Sequence, residues 1–295
     1  MTAGRIVVVG DVINDIVAVP RAPMRPDTDT PATIRRTSGG SAANLAVWLA
    51  DRGAEVDLVA AVGTPDAELH HRELVEAGVM PHLQREIGVQ TGTIVIVVQG
   101  ADRSMLTERG ANSLLRTTSV TDALLAEACL LHVSGYSILD GFGVEGTREL
   151  VARATDAGVP VSVGAGSIGF IADFGVQRFL DAARGATLLF LSAAEACMLS
   201  GCDDADAAAR MLGSCFPVVA VTLGAEGSLL VVDGAAPVAV PTTPVRSIDP
   251  TGAGDAFAAG FLECWLRTGD AVAAAEAGTF LAARAIMVIG GRPPL

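Results

Sequence analysis

The residues best suited by type and spacing to do chemistry lie in one run, Ser247-Ile248-Asp249-Pro250-Thr251-Gly252-Ala253-Gly254-Asp255. Pro250 stops the extended segment before it. Gly252, Ala253 and Gly254 leave a bend nearly bare of side chains, and a small-residue apolar helix follows through Ala256 to Thr268. A helix start carries unpaired N–H groups and a partial positive charge, so it can hold an anion. Glycine there lets a phosphate reach the backbone without striking a Cβ. Asp255, one turn in, projects a carboxylate towards the same anion. A carboxylate beside an anion hole suits phosphoryl transfer, because it takes the proton from an attacking hydroxyl while the N–H groups stabilise the developing charge. The same residues also make an ordinary turn, in which Asp255 gains only a dipole stabilisation of roughly 0.3–1 kcal/mol.

Three other stretches place polar groups at the ends of elements. Asp11 and Asp15 follow the β-branched run Ile6-Val7-Val8-Val9 and Gly10, where they belong either to a ligand site or to a solvated loop. Gly39 and Gly40 precede a helix that opens with Ser41-Ala42-Ala43-Asn44 and runs to about Arg52. The glycines permit close approach of a ligand, and Asn44 can both donate and accept, although helix entry alone accounts for the pattern. Thr222-Leu223-Gly224-Ala225-Glu226-Gly227 follows an apolar strand, as a phosphate-binding turn or as a hairpin into Ser228 to Val232.

The elements that must position these groups alternate. Strands are expected at 6–9, 56–62, 130–133, 159–163, 188–191 and 218–222, with helices at 67–77, 144–157, 174–183, 193–200, 205–215 and 270–288. Continuous apolar strands alternating with helices predict a mainly parallel sheet covered on both faces, with ligands at the carboxyl ends of the strands. Every polar motif above falls at a strand end or a helix start. Residues 13–36 and 88–110 are different: short β-prone runs, Ile16 to Val19, Thr33 to Thr37, Ile94 to Gln99 and Ser104 to Thr107, are broken by Pro or Gly, with a turn at Gly100-Ala101-Asp102-Arg103. They read as a small β lid, leaving 1–12, 37–87 and 111–295 as the main domain.

Asp249-Pro250-Thr251-Gly252-Ala253-Gly254-Asp255 closely resembles the C-terminal signature of the ribokinase (PfkB) family of carbohydrate kinases. Gly10 to Asp15, Gly39-Gly40 to Asn44, Arg109-Gly110-Ala111-Asn112 and Thr222 to Gly227 resemble further segments of that family. The resemblance implies a ribokinase-like three-layer α/β/α domain with a β-sheet lid, and ATP-dependent phosphorylation of a sugar or sugar acid of the ribose, fructose or 2-keto-3-deoxygluconate class. It makes Asp255 the catalytic base, with Gly252, Ala253 and Gly254 as its anion hole. It assigns Asp15, Gly39, Gly40 and Asn44 to the sugar, and Thr222, Gly224, Gly227, Thr251, Gly252 and Gly254 to ATP. Glu195 orients Mg²⁺ through water, and a monovalent cation such as K⁺ lies near Asp249 and the loop at Gly290. The chain departs from the pattern at Ser192, where members usually carry Asn, at Gly164-Ala165-Gly166-Ser167, which has no carboxylate or amide, and at Ser41, where ribose-specific members often carry lysine. A nucleoside kinase of the same fold and a non-catalytic sugar or nucleotide sensor are the other readings.

Composition narrows the partners. The 295 residues carry a formal net charge of −13 and no lysine, so nucleic acid and anionic membrane are poor partners, and charges interrupt every apolar run before membrane-spanning length. The apolar run Ile6 to Val9 is too short for the core of a secretory signal. Five scattered cysteines without a C-x-x-C pair point to a reducing cytoplasm rather than a disulfide framework. Lid strands this short are marginal alone and expose edges. They predict a homodimer formed through the lids, burying Ile94, Ile96 and Val98 or their alternates.

Overall fold

The run Ile6-Val7-Val8-Val9 is apolar at every position because both of its faces are covered. In a computed structural model of the chain, which describes residues 4–99 and 102–294, Val7 and Val9 enter the core on one side of a sheet and Ile6 and Val8 the core on the other. The first half of the chain forms β1 (Arg5–Gly10), β2 (Ile13–Pro20), β3 (Ala32–Gly39), α1 (Ser41–Asp51), β4 (Val56–Gly63), α2 (Ala67–Glu76), β5 (Val79–Glu86), β6 (Gly92–Gln99) and β7 (Asp102–Glu108). There follow α3 (Asp122–Glu127), β8 (Ala128–Val133), the single turn α4 (Gly135–Ser137), α5 (Gly143–Asp156), β9 (Val161–Gly164), α6 (Ile168–Phe174), α7 (Val176–Ala183), β10 (Leu188–Ser192), α8 (Ala193–Ser200) and α9 (Ala205–Gly213). The chain closes with β11 (Val218–Thr222), β12 (Ser228–Val232), β13 (Val238–Val240), α10 (Ala253–Thr268) and α11 (Ala271–Ala285).

Among the described residues nine strands make the main sheet, in the order β13-β12-β11-β10-β9-β8-β1-β4-β5. Pairing is parallel from β5 to β11 and antiparallel at β11–β12 and β12–β13. One core holds side chains from α3 and α5 to α9, the other those from α1, α2, α10 and α11, giving a three-layer α/β/α arrangement. Because β11 and β12 form a hairpin, the turn from Leu223 to Gly227 joins antiparallel strands, with Leu223 N–H donating to Gly227 O at 2.7 Å. The helix expected over 174–183 is divided at Gly175, whose φ of 104° ends α6 before α7 begins. β5 carries Pro81 and polar residues and lies at the sheet edge, where a missing N–H is tolerated.

β2, β3, β6 and β7 form a separate sheet in the order β3-β2-β6-β7. β2–β3 and β6–β7 are antiparallel, while β2 and β6 run parallel from Ile13↔Gly92 to Ala18↔Val97. Gly100 and Ala101 of the expected turn lie outside the described residues. Directly paired residues share a sheet face, so Asp15, Thr37, Ile94 and Thr107 lie on one side. Ile16, Arg36, Val95 and Leu106 lie on the other. The small sheet is rooted on α2: Asn14 Nδ2 donates to Asp66 Oδ2 at 2.6 Å, and the hydroxyls of Ser38 and Thr91 bond Glu73 and Asp66. No helix among the described residues is long and apolar enough to cross a membrane.

Candidate active site

α10 starts where the sequence places its glycines. Gly252 caps it in a left-handed conformation (φ 76°), and a Cβ there would come 2.5 Å from Gly291 Cα, so both the turn and the close approach require glycine. Ala253 N–H donates to Pro250 O at 3.3 Å, and Gly254 and Asp255 complete the first turn. Ser41 Oγ donates to Asp255 Oδ1 at 2.7 Å and Asn44 Nδ2 donates to Oδ2 at 3.1 Å. Desolvation pushes the Asp255 carboxyl up to about 7; the two hydrogen bonds and Arg292 pull it down, and Asp11 pushes it further up. A carboxylate poised near neutrality is matched to proton abstraction.

Two cavities meet at this helix start. One, of about 350 Å³, is lined by Thr222, Gly224, Gly227 and Gly254 together with apolar residues such as Ala282 and Ile286. The other, of about 260 Å³, is lined by Ser41, His132, Glu195, Asp255 and the Gly164 to Gly166 turn. They share Thr222, Gly254 and Phe257, so the first turn of α10 is a common wall. His132 is buried beneath the second cavity with Nδ1 2.9 Å from Ser162 Oγ, and burial pushes it down to about 4, leaving it neutral at physiological pH.

Of the expected sugar-binding residues Asn44 reaches Asp255 directly, while Asp15 and Gly39 lie against each other near a further residue, Arg292. Asp15 packs against Gly39, where a Cβ would collide with its carboxylate. Desolvation pushes Asp15 up to about 6, opposed by Arg292 and reinforced by Asp11 and Asp249. Gly40 caps α1 and its carbonyl accepts from Asn44 N–H at 2.8 Å. Both ends of the Asn44 amide are engaged, since Oδ1 accepts from Arg292 Nε at 3.2 Å while Nδ2 serves Asp255. Arg292 Nη2 also donates to Gly39 O at 3.1 Å, and Trp48 Nε1 donates to Gly291 O at 2.9 Å. The segment 290–292 thus straps the Gly39-Gly40 turn and α1 to the start of α10. Arg292 escapes the sequence reading, where its only mark is the preceding Gly290-Gly291. A second arginine, Arg109, stacks on the Tyr136 ring at 4.7 Å, with Nε 2.5 Å from Asp140 Oδ2 and Nη1 3.6 Å from Asp11 Oδ2.

The residues expected at cations are partly occupied by the fold itself. Glu195 Oε2 accepts from Ser192 N–H at 2.7 Å and from its hydroxyl at 2.8 Å, while Ser192 Oγ accepts from Glu195 N–H at 3.3 Å; this reciprocal cap starts α8. Among the described residues no cluster of three or more His, Cys, Asp or Glu could hold a metal. One wall carboxylate nevertheless fits magnesium carried on phosphates, because that ion keeps several waters and needs few protein ligands. Asp249 Oδ1 accepts from Thr251 N–H at 3.0 Å and its hydroxyl at 2.7 Å, and Oδ2 accepts from Gly290 N–H at 3.0 Å. Asp249 and Thr251 therefore clasp the strap to the turn before α10.

Comparison with known proteins identifies the family. Residues 3–295 match the model of the pfkB family carbohydrate kinases. A protein of Halopiger xanaduensis named ATP-dependent ribose-1-phosphate kinase is 30% identical, over 85% of this chain and 82% of its own length. The adenosine kinase of Sinorhizobium meliloti superposes with a TM-score of 0.87 at 25% identity, covering 100% of this chain and 97% of that one. The ribokinase of Thermotoga maritima, at 24% identity, shares the fold with a TM-score of 0.83, covering 98% of this chain and 94% of that one. With a ribokinase-like fold and a family match along nearly its whole length, the chain belongs to the pfkB family of carbohydrate kinases, which are phosphotransferases.

Proposed function

We propose that this chain transfers the γ-phosphoryl group of ATP to a hydroxyl of a small sugar or sugar acid. One observation carries the reading: Asp255, held near neutral pKa, lines the second cavity next to Gly254, a residue that both cavities share. ATP takes the cavity of Thr222, Gly224 and Gly227, with Thr251 nearby and its terminal phosphate at the N–H groups of residues 252–254. The acceptor lies between Asp15, the Gly39-Gly40 turn and Asp255, which removes the proton from the attacking hydroxyl. Asn44 serves the base by donating to it. The N–H groups stabilise charge on the transferring phosphoryl, an effect worth roughly 3–4 kcal/mol per donor in comparable sites. Glu195 would be the residue that helps hold magnesium brought in with ATP, and the ion would supply neutralisation of phosphate charge. A monovalent cation near Asp249 and the loop at Gly290, closure by a lid of residues 13–36 and 88–110, a cytoplasmic location and pairing of two chains through their lids complete the reading.

A nucleoside acceptor is the second reading, favoured by Tyr136 and Phe170, whose rings meet edge to face at 6.1 Å beside Gly166 on the acceptor side. Such rings offer a stacking surface for a base. The likeness to an adenosine kinase points the same way. An ADP-release screen with Mg-ATP over pentoses, hexoses, keto-deoxy acids, phosphorylated pentoses and nucleosides tests both. Release with sugars or sugar acids supports the first, release with nucleosides alone favours the second, and none above the water background rejects both.

A further inference from the structure

We propose that Arg292 is a positioning residue that fixes the orientation of the Asn44 amide and, through it, the carboxylate of Asp255. The inference rests on the kinase reading and concerns a residue that the sequence motifs do not include. An asparagine amide has two unlike ends, one accepting and one donating. An ionised Asp255 can only accept and a guanidinium can only donate, so the two groups on either side of Asn44 select a single orientation: Oδ1 to Arg292 Nε at 3.2 Å, Nδ2 to Asp255 Oδ2 at 3.1 Å. Without Arg292 only the ionised carboxylate itself opposes the flipped amide, which sets its oxygen against Asp255 and loses the donor, so the orientation is held less firmly.

Arg292 is itself well placed for this task. Its Nη2 is tied to Gly39 O at 3.1 Å, and the backbone before it is pinned twice, Gly291 O by Trp48 Nε1 at 2.9 Å and Gly290 N–H by Asp249 Oδ2 at 3.0 Å. Gly291 must be small, because a Cβ there would run into the Asn44 amide. Among the described residues no carboxylate lies within ion-pair distance of the guanidinium, so stabilising the fold through a salt bridge does not account for it. Its charge is felt most by Glu73 on α2, and it also reaches Asp15 and Asp255, lowering both of the latter. Facing Asp255 from the other elements are the charged Asp11 after β1 and the neutral Ser41 and Asn44 of α1.

The test is a cycle of Arg292→Ala, Asn44→Ala and the double variant, with Arg292→Lys as the conservative change, using the acceptor found by the ADP-release screen. Arg292→Ala should lower kcat by about 10–100-fold while leaving KM for ATP within about twofold. The acid limb of its kcat–pH profile should move to higher pH, because a cation near the base is gone. At a pH above the acid limb of every variant the double variant should be no worse than Asn44→Ala, added guanidinium ion should restore part of the rate in Arg292→Ala, and Arg292→Lys should fall between wild type and Arg292→Ala. Losses that multiply in the double variant, or a pH profile unchanged by Arg292→Ala, overturn the proposal. A second readout needs no turnover: the carbon-13 carboxyl resonance of Asp255, assigned by its loss in Asp255→Asn, should titrate at higher pH in Arg292→Ala than in wild type. If the wild type phosphorylates nothing, the kinase reading fails and this titration alone decides, an unmoved Asp255 counting against the role of Arg292.

Discussion

Asp255 would be a weak base at the pKa of a carboxyl in water, about 4, since it would leave the acceptor's proton largely where it was. Withdrawal from water brings it to about 7. Asp255→Asn keeps the shape and removes the base, so kcat should fall by about 10²–10⁴ with KM for ATP within a few-fold. A near-normal kcat from a folded variant rejects the assignment. In the wild type the base must be ionised, so kcat should climb with pH towards about 7 and fall off on the acid side. Stability should move the opposite way. A carboxyl whose folded pKa exceeds its unfolded value binds its proton more tightly in the native state, so stability is lost as pH rises from about 4 to about 7. Urea midpoints across that range should show a shallower decline in Asp255→Asn than in wild type. An equal decline assigns the pH dependence to Asp15, pushed up to about 6, or to other groups.

Elements that recur locally were legible in the sequence because their signals are local. Ile6 to Val9, Leu188 to Leu191 and Val218 to Thr222 announce covered strands by composition, and each falls in the main sheet. β5 did not, because Pro81 and the polar residues around it suit an edge, and position in the sheet is decided by the whole fold. The start of α10 was legible from its glycines and Asp255, whereas the Arg292 contact with Asn44 joins residues 248 apart in sequence, which no pattern of neighbours marks. In the sequence Ser192 is marked only as a replaced asparagine, yet it caps α8 and engages Glu195. Ser192→Ala should cost about 0.5–2 kcal/mol of stability by removing that cap, seen as a lower urea midpoint. Ser192→Asn retains a good cap, and its added amide should lower the magnesium concentration that half-saturates activity. An unchanged magnesium titration places residue 192 outside the ion's water shell.

Assembly is a property of the whole molecule, and the lid gives it a direction. The expectation put Ile94, Ile96 and Val98, or their alternates, against a partner. Pairing places Ile94 and Ile96 on the Asp15 side, where Ile96 is buried although Met105 opposite it is 60% exposed. The other face carries Ile34 and Leu106, 65% and 68% exposed, with Val95 and Val97 between them, and offers the larger exposed apolar side chains to a partner. Light scattering should give about twice the 30.0 kDa chain mass, and Ile34→Asp with Leu106→Asp should give monomers. A wild-type monomer, or a dimer indifferent to both charges, rejects pairing through the lid. The parallel seam between β2 and β6 also sets an order of events. Ile13 to Ala18 must wait for Gly92 to Val97, and in between the chain completes α1, β4, α2 and β5. Closing so long a loop costs entropy that no local contact of the lid repays. The lid should therefore be the last part to assemble and the first to open. Native-state hydrogen exchange should find the β2–β6 amides opening at lower denaturant than those of β1 and β8, as a unit of its own above a main sheet that stays closed.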